Sequence, residues 1–213
     1  MVRALTALAV LLVAALPLGG CGGERIRDIY FGLEPEVAVM PNAAPIPGTL
    51  RVNTLATRGF VGGTRIVFRT REDPLQVQRY NEFLWEEPPA GAIADALVAA
   101  LRAARSFDNV IVAGDPARAN YLLTGELLRF EHRPTDSPPG VSAEFTLALV
   151  DARSRELLVS STYSGFEPTA ERPSGLTTPE AMVAAFNRLT GQLIGEVLRD
   201  ARTVADTVEQ RRL

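Results

Sequence analysis

Lysine is absent from this 213-residue chain, and all 22 basic residues are arginine. Cysteine, histidine and tryptophan occur once each. These scarcities exclude several classes of chemistry. A zinc site built from cysteine and histidine fails on ligand count. No intramolecular disulfide can form, so the fold must be held by packing alone. His132 could serve a serine nucleophile, but no G-x-S-x-G elbow accompanies it, and at the end of a strand between Glu131 and Arg133 it reads as a solvated residue. The glycines of "GFVGGTR" (59–65) lack the G-K-[ST] ending and following helix of a phosphate loop, so they read as a turn connection. Glu86 and Glu87 are adjacent, and neighbours on a strand point to opposite faces, which is wrong for a glycosidase pair. No basic block is present, which argues against a nucleic-acid partner. The residues therefore point away from an enzyme, and neither a cofactor nor a metal is expected.

Long apolar runs are also scarce, with one exception at the amino terminus. Met1-Val2-Arg3 is followed by "ALTALAVLLVAALPL" (4–18) and then by Leu18-Gly19-Gly20-Cys21. The run is shorter than the roughly 20 apolar residues of a spanning helix and matches the h-region of a signal peptide. The sole cysteine follows it after two glycines. Leu18-Gly19-Gly20-Cys21 resembles the lipobox of bacterial lipoproteins, which implies cleavage between Gly20 and Cys21 and acylation of Cys21. Each buried CH₂ contributes about 0.8 kcal/mol, and stable anchoring takes at least two acyl chains; a lipoprotein cysteine carries three. Gly22 rather than aspartate after the cysteine resembles the sorting signal for the outer membrane, facing the periplasm. Cleavage removes Arg3 and leaves 21 arginines against 25 acidic residues.

The rest of the chain suffices for one domain with a sizeable core. The expected organisation is a signal peptide (1–20), a lipidated tether with a possible edge strand at "DIYFGLEP" (21–49), a domain (50–206) and a tail (207–213). Strand patterns occupy 50–57, 64–70 and 75–85. "AGAIADALVAALRAARSF" (90–107) predicts a helix with Ile93, Leu97, Leu101 and Ala104 on one face. Strands follow at 109–114 and 119–133. A hairpin over 141–166 places Val141, Ala143, Phe145, Leu147 and Leu149 inward and reverses at Asp151–Arg155. Thr177 or Thr178 caps a last helix beginning at Pro179, with Met182, Phe186, Leu189, Leu193 and Val197 as its buried stripe. Gly191 and Gly195 within it predict a close approach to the sheet. The fold class expected is α+β: one domain, a mostly antiparallel or mixed sheet of about six to seven strands, and two main helices on one face.

Recognition surfaces remain as the functional candidates. Tyr80, Trp85 and Glu86 lie on or just after the strand "QVQRYNEFLWEEPP", and aromatic residues with a polar handle are enriched at interfaces. Trp85 reads equally as core beneath the following helix. Phe60 and Val61, flanked by glycines, form a second candidate contact or a partly buried loop.

The succession of "IYFGLEP", "RIVFR", a strand carrying Tyr80, "WEEPP" leading into an amphipathic helix, and "ANYLLTGELLRFE" resembles the ABC-type transport auxiliary lipoproteins. These are the lipoprotein partners of MCE-type intermembrane lipid transport systems, including the paraquat-inducible operon. The glycine-rich "RGFVGG" (58–63) departs from the family's more polar stretch there. The resemblance implies a non-enzymatic docking subunit that engages an MCE-domain protein working with an ABC permease and ATPase, and it makes a homo-oligomer plausible. The alternative is a stand-alone envelope lipoprotein that supports assembly or binds a periplasmic ligand.

Overall fold

The computed structural model describes residues 27–169 and 177–210, with side chains described to Thr203. Gly20, Cys21 and the signal segment lie outside the described residues. Nine strands form one mixed sheet: β1 (Ile29–Phe31), β2 (Ile46–Val52), β3 (Ala56–Thr57), β4 (Arg65–Phe68), β5 (Gln78–Trp85), β6 (Phe107–Val112), β7 (Tyr121–Arg133), β8 (Gly140–Asp151) and β9 (Leu157–Pro168). Two helices, α1 (Pro89–Ala103) and α2 (Pro179–Gln210), share one core with it. The expected α+β class holds; the extra strands are the two short ones, β1 and β3.

The 13-residue β7 is the spine. One edge pairs antiparallel with β8 along its full length, and β8 pairs antiparallel with β9. Three short strands share the other edge, all parallel to β7: β2 against Leu123 and its neighbours, β3 against Glu126, and β4 against Glu131 and His132. The sheet then forks. β6 lies outside β2 at one end, while β5 and then β1 lie outside β4 at the other.

Alternation fixes which face is buried. Val141, Ala143, Phe145, Leu147 and Leu149 all face the core, opposite the buried stripes of both helices. Ile93, Leu97, Leu101 and Ala104 of α1 are buried, as are Met182, Phe186, Leu189, Leu193 and Val197 of α2. α1 stops before the end of its apolar pattern because Arg105 takes a left-handed φ of 52°. Ser106 N–H then donates to Leu101 O and Arg105 N–H to Arg102 O, closing the carboxyl end and releasing Phe107 into β6. At α2 the cap is Thr178, whose Oγ1 accepts from Ala181 N–H at 3.1 Å. The β8–β9 reversal is built by Asp151, whose Oδ1 accepts from the N–H groups of Arg153 and Ser154.

Two expectations about the chain's layout are corrected. The segment 32–45 is not a free tether but a strap running along α2. Glu34 N–H donates to Asn187 Oδ1 at 2.7 Å, the guanidinium of Arg202 donates to Met40 O at 2.6 Å, and Asn42 N–H donates to Ala104 O at 2.8 Å. Leu33, Val37 and Val39 pack against the core beneath it. Of the two helix glycines, Gly191 answers to this strap and neither answers to the sheet. A Cβ on Gly191 would stand 2.2 Å from Glu36 O, whereas one on Gly195 would meet only Arg199 Nη1 at 3.9 Å. The close approach of α2 to the sheet occurs instead at Gly165 of β9, where a Cβ would stand 2.8 Å from Leu189 Cδ1.

Candidate functional site

β5 was expected to offer aromatic side chains to a partner, and the structure divides them. Trp85 is 2% exposed. Its ring meets Phe130 at 5.6 Å and Phe186 of α2 at 5.2 Å, so it belongs to the core and presents nothing to a partner. Tyr80 is half-buried within a row of rings: Phe68 at 4.6 Å, Phe83 at 5.1 Å, and Phe31 a further 6.2 Å from Phe83. Its hydroxyl shares a 2.7 Å hydrogen bond with His132 Nδ1. Glu86, just past β5, is exposed, and its N–H donates to Phe31 O, tying the end of β5 to β1.

His132 is buried, which corrects its reading as a solvated strand-end residue. A register shift in β7 between Leu127 and Arg129 is responsible. An extra residue in a strand exchanges its two faces, so beyond this point Phe130 and His132 turn toward the core. Burial pushes the His132 imidazole down to about 4 and, together with the charge of Glu82, the Tyr80 phenol up to about 12. Both groups are neutral across the ordinary pH range, and among the described residues His132 Nε2 has no hydrogen-bond partner. This pair is a buried structural contact; among the described residues no serine, threonine or cysteine is hydrogen-bonded to the imidazole.

On the opposite face of β7, Glu131 is 3% exposed and ion-paired. Arg69 Nε lies 3.2 Å from both of its carboxylate oxygens, and Arg133 Nη1 lies 3.2 Å from Oε1. These bonds pin the β4–β5 and β7–β8 loops to the same end of the sheet.

The glycine-rich stretch forms a 3₁₀ turn, Gly59–Gly62, in which Gly59 adopts φ 61°. Phe60 is 44% exposed, and the Arg79 guanidinium sits 4.2 Å above its ring. Val61 is partly buried against the core. Arg65 of the following strand donates to the carbonyls of Tyr80 and Asn81, which the register shift between β4 and β5 leaves without ladder partners. Phe60, capped by a cation and backed by a pinned hairpin, is thus a rigid exposed aromatic on the surface.

A cavity of about 50 Å³ lies between the sheet and the helices, lined by Leu101, Phe107, Leu123, Leu149 and Val197 among others. Tyr163 and Asp200, joined by a 3.0 Å hydrogen bond, contribute polar lining. Ligand pockets run to roughly 300–1,000 Å³, so this space is smaller than such a pocket. Among the described residues no cluster of three or more His, Cys, Asp or Glu is placed to hold a metal, and no helix is long and apolar enough to cross a membrane.

Sequence reasoning missed the buried histidine, the strap and the cavity. The strap had one signal, the small residues Ala184, Gly191 and Gly195 on one side of α2. The other two depend on long-range pairing.

Comparison with known proteins agrees with this architecture. Protein XCC0632 from Xanthomonas campestris, a DUF330 structure, superposes with a TM-score of 0.69 at 23% identity over 86% of this chain and 99% of that one. A second structure, of an uncharacterized protein, gives a TM-score of 0.61 at 18% identity, covering 82% and 98%. Among curated proteins, none is similar enough to match. The family pattern of the ABC-type transport auxiliary lipoprotein component matches residues 31–197, from the end of β1 to the heart of α2. The chain belongs to this family of lipid-anchored auxiliary components of ABC-type transport.

Proposed function

We propose that the chain is anchored through acylated Cys21 to the periplasmic face of the outer membrane and docks an MCE-type ABC intermembrane lipid transport system. The observation that carries this reading is the adjacency of two features: the family match begins at Phe31, ten residues after a lipobox-like cysteine. The permease and ATPase would supply the energy, the MCE-domain protein the conduit, and this subunit the attachment at the far end. Confining a rigid domain to one membrane raises its effective concentration for a partner that crosses from the other. The partner-facing candidates are Phe60, Val61 and Glu86, together with half-buried Tyr80; Trp85 lies in the core. A homo-oligomer would match an oligomeric conduit in symmetry.

Affinity capture from envelopes solubilised in mild detergent tests this. The wild-type protein is expected to retrieve an MCE-domain protein, and Phe60→Asp to weaken capture while leaving the unfolding free energy within about 0.5 kcal/mol of the wild type, as for most surface changes. Capture that retrieves no transport component contradicts the proposal.

A further inference from the structure

We propose that the end of the sheet bearing the β4–β5 and β7–β8 loops rests on the bilayer that holds the lipid anchor, with Leu75 in the interfacial layer. This rests on the acylation of Cys21 proposed above.

The argument begins with direction. β1 runs parallel to β5, with Ile29 opposite Phe83. The chain before Ile29 therefore points back toward Gln78, the start of β5, and so toward the loops 69–77 and 134–139. Six residues separate Cys21 from Asp28. Fully extended, that leash spans at most about 25 Å; as a flexible coil it averages roughly 15 Å. It reaches the loop end readily. The Asp151–Glu156 turn stands at the other end of β7, whose 13 residues run roughly 40 Å. Bringing that turn to the membrane would need a leash doubled back at full stretch.

The chemistry of the two loops agrees. Leu75, beside Pro74 in the β4–β5 loop, is 95% exposed, the most exposed large apolar side chain among the described residues. Phe166, opposite Ser142 near the start of β8, is exposed toward the same end. The loops themselves carry two arginines (69, 71) against three carboxylates (Glu72, Asp73, Asp136), and Arg133 at the end of β7 is ion-paired with Asp136 and with buried Glu131, so the contact with lipid is apolar and does not rest on charge. Arg69 donates to Pro74 O at 2.5 Å and Arg71 N–H to Thr135 Oγ1 at 2.7 Å, holding Leu75 outward on a braced loop. An apolar tip on a braced, tethered end fits a lipid surface.

The test uses full-length acylated protein in vesicles of phosphatidylethanolamine and phosphatidylglycerol. Acylation consumes the Cys21 thiol, so Leu75→Cys and Arg153→Cys each introduce one free thiol for an environment-sensitive fluorophore. Both sites are exposed, and neither substitution threatens the fold. Nitroxide-bearing lipids are expected to quench the probe at 75 several-fold more than the probe at 153. Equal quenching at the two sites in protein whose intact mass shows the acyl chains overturns the orientation alone. A mass without acyl chains overturns the anchor and the orientation together.

Discussion

His132 is where a single side chain sets the pH response of the fold. Burial holds its imidazole neutral in the folded state down to about 4, against an ordinary value of 6.5. Between those two values the unfolded chain binds a proton that the folded chain refuses. Stability therefore falls as pH is lowered through 6.5 toward 4 and levels off below. Full expression of that shift corresponds to about 3 kcal/mol. His132→Gln keeps an acceptor for the Tyr80 hydroxyl and removes the titration. Urea unfolding at pH 7 and pH 4.5 is expected to show a larger loss for the wild type than for the variant; parallel losses contradict this account. Nothing in the local pattern "FEHR" announces that burial. Read from Tyr121 and Leu123, strict alternation sends His132 to solvent, and only the shift after Leu127 reverses it. Trp85 was ambiguous for a related reason: a strand-end tryptophan serves core or interface equally well until Phe186, a hundred residues away, is placed against it.

Among the elements, α2 and its strap form the pairing with the clearest consequence. Gly191 faces the Glu36 carbonyl too closely for any side chain, and Gly195 faces open space. Gly191→Ala is expected to destabilise by about 1–3 kcal/mol through forced displacement of the strap, and to speed proteolytic cleavage within 32–45. Gly195→Ala is expected to stabilise by up to about 1 kcal/mol through helix propensity. Chemical denaturation of the two variants checks this; stabilisation by both would show that the strap does not lie where it is described. The helices, the β8–β9 hairpin and its Asp151 turn were legible because each is written in local periodicity and turn chemistry. The parallel alignment of β2, β3 and β4 along one edge of β7 was not, since pairing between strands some 70 residues apart leaves no local mark. The same holds for the strap, whose prolines at 35, 41, 45 and 47 read as a linker although the chain between them is pinned at Met40 by Arg202 and at Asn42 by Ala104.

For the whole molecule, the first described strand begins at Ile29, eight residues after Cys21, so the proposed anchor would hold the domain on a leash of fewer than ten residues. A short leash suits the docking role proposed above. It depends on Cys21 carrying lipid. Intact-mass analysis of the protein extracted from membranes examines this directly. The account predicts a chain that starts at Cys21 and bears a diacylglyceryl group and an amide-linked acyl chain. A chain that still begins at Met1 with an unmodified Cys21 would contradict it.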